Sequence, residues 1–299
     1  MIEIRQVLCP IDFSDASRHA LEHAVAIATW YKSQLTALHV IHVPVMYPHP
    51  LMMPVEAGPT LPTAADRQAH EEQLRSWLEP ARRGGISTQV VVDEGIAALQ
   101  ILEQARARKT DLIVMGTHGL SGFERFMLGS VTEKILRKAS CPVLTVPPAS
   151  GTTAKVPYKR LLCPIDFSGS SQSALRFASS LAKEADANLC VLHVIDWPTD
   201  HDFMVKRFEE EAFRRAVEDD ARRRLEGLLI EDIRVACKPV TAIEYGKPYQ
   251  RILAVAERDA ADLIVIGVRG RNPLGLAVFG STTNQVVRSA SCPVLTLKQ

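Results

Sequence analysis

DLIVMGTHGLSGFERFMLGS, residues 111–130, returns as DLIVIGVRGRNPLGLAVFGS at residues 262–281. In the first copy two residues separate Gly116 from Gly119, nine separate Gly119 from Gly129, and Ser130 follows at once. Gly267, Gly270, Gly280 and Ser281 repeat that spacing. A short apolar run closed by a glycine suits a strand buried on both faces. A helical pattern follows each serine. Strand, glycine loop and helix, present twice, predict two phosphate-binding loops in an α/β fold.

The repetition extends outward from these loops. VLCPIDFS at 7–14 matches LLCPIDFS at 161–168, and LTALHVIHV at 35–43 matches LCVLHVIDW at 189–197. ASCPVLTV at 139–146 matches ASCPVLTL at 290–297. The period is too long for a solenoid and indicates a duplicated domain. The expected domains are 1–147 and 158–299, with PASGTTAKVP at 148–157 as the linker. That segment is rich in Pro, Ser, Gly and Thr and lacks periodicity.

Each half alternates strands with helices. The expected strands of the first half are 6–11, 35–43, 86–92, 112–115 and 142–146. Its helices follow Ser14, a plausible N-cap, and then cover 64–83, 97–108 and 130–138. In the second half strands are expected at 160–165, 189–195, 233–240, 263–266 and 293–297. Helices are expected at 169–185, 204–228, 248–259 and 281–289. This order implies a mostly parallel sheet with helices on both faces. Residues 44–62, rich in Pro and Met, fit no regular element and read as an irregular surface connection, or as a lid or partner surface. The equivalent connection in the second half is much shorter.

With 299 residues and 46% hydrophobic content, two cores can be buried. The 35 basic and 34 acidic residues leave a net charge of +1. Such a balance argues against a broad nucleic-acid surface. No apolar run is long enough to span a bilayer, and MIEIRQVLCPIDFS enters a strand pattern without a signal-peptide profile. A cytoplasmic protein is expected. The six cysteines form no CxxC pair and read as structural thiols.

Phosphate requires close approach of backbone N–H groups, which glycine permits. A helix N-terminus adds free N–H groups and the positive end of its dipole. A Lys-Ser or Lys-Thr pair does not follow the glycines, so this is not a Walker A loop. The loops follow the fourth strand of each half, not the first, so they are not the usual dinucleotide fingerprint. No GxSxG elbow is present. Asp12 and Asp166, just past the first strand of each half, can accept a hydrogen bond from an adenine amino group or a ribose hydroxyl, or can cap the next helix. His39 and His193 read as satisfied sheet histidines, since no metal-ligand pattern accompanies them. His118 and Arg269 hold equivalent loop positions, beside a phosphate or facing solvent. Arg125 and Arg271 lie in the loops at non-equivalent positions.

PxDFS after the first strand, LHV in the second, and DLIVxG with G-x2-G-x9-G-S resemble the ATP-binding branch of the universal stress protein family. The resemblance covers nearly the whole chain in two tandem copies. It implies two Rossmann-like domains of the adenine nucleotide alpha hydrolase-like type, each a five-stranded parallel sheet of order 3-2-1-4-5. It implies pairing through the last strands, 142–146 with 293–297, as an intramolecular pseudo-dimer, with room for a further homodimer. By motif position, Asp12 and the Val40 backbone would hold adenine, with Pro10 bordering that pocket. Met115 and Gly116 would lie near the ribose, and Gly119, Gly129, Ser130 and Val131 around the phosphates. The second set is Pro164, Asp166, Val194, Ile266, Gly267, Gly270, Gly280, Ser281 and Thr282. The implied function is an ATP-binding regulator of the stress response, with Mg²⁺ carried on the phosphates and an unidentified protein partner. Slow ATP hydrolysis and a scaffold with structural nucleotide stay open. No residue is assigned a catalytic role.

Overall fold

The structure, a computed structural model, describes residues 2–43, 62–119, 128–148, 156–196, 211–268 and 279–298. The first half runs β1 (Gln6–Pro10), α1 (Asp15–Tyr31), β2 (Gln34–Ile41), α2 (Ala64–Arg83), β3 (Thr88–Glu94), α3 (Ala97–Ala107), β4 (Leu112–Gly116), α4 (Ser130–Lys138) and β5 (Val143–Val146). The second runs β6 (Arg160–Ile165), α5 (Gly169–Ala185), β7 (Asn188–Ile195), α6 (Glu211–Leu228), α7 (Glu231–Cys237), β8 (Val240–Tyr245), α8 (Pro248–Arg258), β9 (Leu263–Gly267), α9 (Ser281–Ser289) and β10 (Val294–Leu297).

Among the described residues ten strands form one sheet, ordered β3-β2-β1-β4-β5-β10-β9-β6-β7-β8. Pairing is parallel within each half, so each half has the order 3-2-1-4-5. The halves meet where β5 and β10 pair antiparallel, with Leu144 opposite Leu295. Thr145 Oγ1 donates to Val294 O and Thr296 Oγ1 donates to Val143 O, each at 3.1 Å and buried. These reciprocal bonds fasten the seam from both sides.

Alternation along the strands feeds two cores, one on each face of the sheet. Val7, Cys9, Leu35, Val114, Leu144, Leu161, Val265 and Leu295 belong to the first, under α1, α2, α5 and α6. Leu8, Leu38, Ile113, Met115, Leu162, Ile264 and Val294 belong to the second, with α3, α4, α8 and α9. Both cores cross the seam without interruption. Burial pushes the Cys9 and Cys163 thiols up, and all six cysteines are free thiols. Among the described residues no helix is long and apolar enough to cross a membrane.

One expected strand is corrected. Residues 231–237 form helix α7, and the strand starts at Val240. Ile233 and Val235 resemble a strand by type. Tertiary packing instead buries Ile233, 7% exposed, in the same core as Leu229, 5% exposed, and lays the helix against α5. Lys238 in the left-handed region then ends the helix. The segment 44–61, most of the 148–157 linker, and residues 204–210 of the expected 204–228 helix lie outside the described residues.

Candidate functional site

In an open parallel sheet, ligands collect at the carboxyl ends of strands where the strand order reverses. Here that point lies between β1 and β4, and between β6 and β9. Pro10 ends β1, and Pro164 is the last residue but one of β6. Leu38 directs its carbonyl to Ile11 N, 2.8 Å away. Strand alternation turns the N–H and C=O of Val40 to the same side, where β1 has already ended. Val194 holds the matching position in β7.

The turn after β1 is built around Asp12. Its Oδ1 accepts from Ser14 N at 3.1 Å and from Ser14 Oγ at 2.5 Å. Ser14, not Asp12, is the N-cap of α1, since its Oγ accepts from Ser17 N. Asp166 repeats the arrangement on Ser168, at 3.0 Å to N and 2.6 Å to Oγ. Between these residues Phe13 and Phe167 take positive φ values of 64° and 66°. A bulky residue there carries strain, which persists only where its surroundings hold it. Each ring is held against a histidine, Phe13 on His39 at 4.7 Å and Phe167 on His193 at 4.6 Å between centroids. The histidines are satisfied as expected: Nδ1 meets Ile11 O at 2.8 Å and Ile165 O at 2.7 Å.

The glycine loop comes back to the same place. A Cβ on Gly119 would lie 2.5 Å from Asp12 Oδ2, so loop and turn touch where only hydrogen fits. Gly129 N donates to Thr117 O at 2.9 Å and draws the loop shut. Gly280 N does the same with Val268 O at 3.0 Å. Helices α4 and α9 then start from Gly129 and Gly280 with no side-chain cap hydrogen bond. α1, α2 and α5 are capped by Ser14, Thr63 and Ser168, whereas α3, α7 and α8 also start without a side-chain cap. Ser130 and Ser281 are exposed at the open ends, beside Val131 and Thr282. Met115 and Ile266, each 5% exposed, face the core with their side chains. Gly116 and Gly267 close the strands, against Ala16 and Ser170. Gly270, Arg269, Arg271 and Arg125 lie outside the described residues. His118 places Nδ1 2.8 Å from Thr117 Oγ1.

Two contributors escaped the sequence. Thr132 Oγ1 donates to Gly116 O at 3.0 Å, and Thr283 Oγ1 to Gly267 O at 2.8 Å. They tie each helix start to its strand end. The signal was available as GSVT and GSTT, a threonine two residues after each serine. The second contributor is His70 of α2, whose ring stacks on His39 at 4.5 Å. Among the described residues no group of three or more metal-ligating side chains could hold a metal ion.

The Universal stress protein family model matches residues 3–147 and again residues 157–298. Universal stress protein MJ0531 of Methanocaldococcus jannaschii is 35% identical over 143 residues, covering 48% of this chain and 81% of its own. A universal stress protein of Mycolicibacterium smegmatis aligns through both halves, 26% identical over 306 residues, with 98% and 96% of the two chains covered. The crystal structure of a universal stress protein from Archaeoglobus fulgidus shares the fold, with TM-score 0.68 at 24% identity over 99% of this chain and 97% of that one. The chain belongs to the universal stress protein family, in tandem two-domain form.

Proposed function

We propose that the chain is an ATP-binding regulatory protein of the stress response, with one adenine nucleotide site in each half. The observation that carries this reading is the contact of Gly119 with Asp12 beside the open start of α4. A cradle that a single Cβ would fill, next to uncapped N–H groups, fits a phosphate chain approached by backbone. One exposed helix end contributes only about 0.3–1 kcal/mol, so several N–H groups and the Ser130 hydroxyl must act together. Asp12, Pro10 and the Val40 backbone would orient the base, Met115 and Gly116 the ribose, and Gly119, Gly129, Ser130 and Val131 the phosphates. Pro164, Asp166, Val194, Ile266, Gly267, Gly270, Gly280, Ser281 and Thr282 would do so in the second half. Mg²⁺ would ride on the phosphates, since these residues offer it no ligand set.

Bound nucleotide would act as an effector. Phosphoryl transfer wants a positioned water and a base, and the described site supplies no residue committed to either task. The domains are proposed as 1–147 and 158–299, joined by 148–157, pairing as a pseudo-dimer in the cytoplasm and open to further homodimerisation and a protein partner. Isothermal calorimetry with ATP tests the reading. Two sites are expected, reduced to one by Gly129→Val or by Gly280→Val. Absence of ATP binding to the intact chain overturns it.

A further inference from the structure

Among the described residues the two halves differ in what covers the phenylalanine of the Asp12 and Asp166 turns. In the first half the His70 ring, on α2, stacks on His39 at 4.5 Å and on Phe13 at 5.7 Å. In the second half the Arg224 guanidinium, on α6, lies 4.0 Å from the Phe167 ring centroid. The same strained phenylalanine is therefore covered by an imidazole in one copy and by a guanidinium in the other. Imidazole changes charge between about pH 5 and 8, whereas guanidinium stays cationic.

We propose that His70 is a proton-dependent positioning residue for the Asp12–Phe13 turn, whereas Arg224 holds the equivalent turn of the second half in a permanently cationic setting. The groups around His70 are consistent with a switch. His70 Nδ1 lies 2.8 Å from Asp66 O on its own helix, and His70 also faces the Asp66 carboxylate, whose pKa is lowered by hydrogen bonds from Thr63 and further by His70. From β2 it faces His39, whose pKa burial lowers; the Ile11 carbonyl and Asp12 raise it, and His70 itself lowers it. Phe13 also meets the edge of Trp77 at 5.3 Å, and Trp77 carries Arg18 over its ring at 4.2 Å from α1. On α2, Arg67 is engaged by Glu71 and by Glu94 of β3. Arg224 has its own partner, Asp220, at 4.0 Å. Protonated His70 would place a cation on the Phe13 face, as Arg224 does on Phe167, and add positive charge beside an anionic ligand.

The role rests on the nucleotide reading, so the test separates the two. ATP affinity is measured at pH 6 and pH 8 in Gly280→Val and Gly129→Val chains, which isolate the first and second sites. Titration of the nucleotide itself affects both sites and cancels in the comparison. The first site is expected to gain about two- to fivefold more than the second on acidification, the range of one exposed cation–π contact. His70→Gln and His70→Arg should erase the difference, and Arg224→His should give the second site the same dependence. His118 is a second imidazole in the first half, so a difference that survives His70→Gln overturns the proposal, as do equal profiles in the two sites. Histidine NMR of the ligand-free chain supplies the second readout: His39 should titrate at higher pH in His70→Gln. An unmoved His39 overturns the coupling. Loss of ATP binding at both sites overturns the nucleotide reading and the positioning role with it, a failure recognisable because the His39 shift would persist.

Discussion

A Cβ at Gly267 would sit 2.7 Å from Ser170 Oγ, 2.8 Å from the Ser170 carbonyl carbon and 2.9 Å from Ser171 N. At Gly116 the same atom would meet Ala16 at 3.1–3.2 Å. Backbone at the start of α5 cannot rotate away, whereas a few tenths of an ångström suffice in the first half. Gly267→Ala should therefore destabilise the chain by about 1–3 kcal/mol, the range of overpacking in a tight core. Gly116→Ala should cost less. Urea denaturation of the two variants checks the order, and equal midpoints would contradict the geometry. The repeated glycine was legible at both positions, but its reason was not. Spacing pointed to phosphate, while the contacts with Ala16 and Ser170 show that Gly116 and Gly267 are first required for strand-to-helix packing. Gly119 differs, because its neighbour is the Asp12 carboxylate itself.

At the scale of elements, each half begins its first helix with a serine cap held by an aspartate. Ser14→Ala and Ser168→Ala should each cost about 1 kcal/mol. Each change also removes the hydroxyl that donates to Asp12 or Asp166. Both the melting temperature and the affinity for ATP should fall, whereas a cap alone would lower only the first. Helices α4 and α9 lack such caps, and a bound anion would take that place. Asp12 was ambiguous from sequence because Asp can serve as a cap or as a ligand contact. The structure separates these roles by giving the cap to Ser14. The 233–240 segment misled for a different reason. Ile233 and Val235 favour a strand locally, but packing of Leu229 and Ile233 outweighs that preference.

On the scale of the whole molecule, the halves share more than the β5–β10 pair. His23 of α1, 4% exposed, places Nδ1 3.1 Å from Tyr158 Oη of the second half. Tyr31 Oη donates to Glu184 Oε2 at 3.0 Å. Burial, and then the neighbouring His19, lowers the His23 pKa from its ordinary value to about 4. The unfolded chain thus takes up this proton more readily than the folded one. The stability it supports is complete above about pH 6.5 and is lost as the pH falls towards 4. The effect is up to about 3 kcal/mol in order of magnitude. His23→Gln should flatten the stability profile across that window, measured by urea denaturation from pH 7 to pH 4. An unchanged slope would remove His23 as its source. The seam gives a second expectation. Residues 1–147 expressed alone expose the β5 edge and the apolar surfaces beside it. They should dimerise through β5, seen as a doubled mass in sedimentation, and Leu144→Asp should leave a monomer.

The duplication, the alternation of strands and helices, and the residues at the strand ends are legible without any structure. Those follow from local periodicity and from motifs repeated inside one chain, which need no knowledge of distant contacts. The β5–β10 pairing was reachable only through family resemblance, because strand order is not written in periodicity. Tertiary structure alone decided the meeting of Gly119 with Asp12, the positive φ of Phe13 and Phe167, and the replacement of His70 by Arg224 over equivalent rings. Each joins residues that are far apart in sequence or depends on backbone torsion. His70 and Arg224 stand 154 residues apart, the offset that relates His39 to His193, so the repeat register pairs them; only the tertiary structure shows that both cover the phenylalanine.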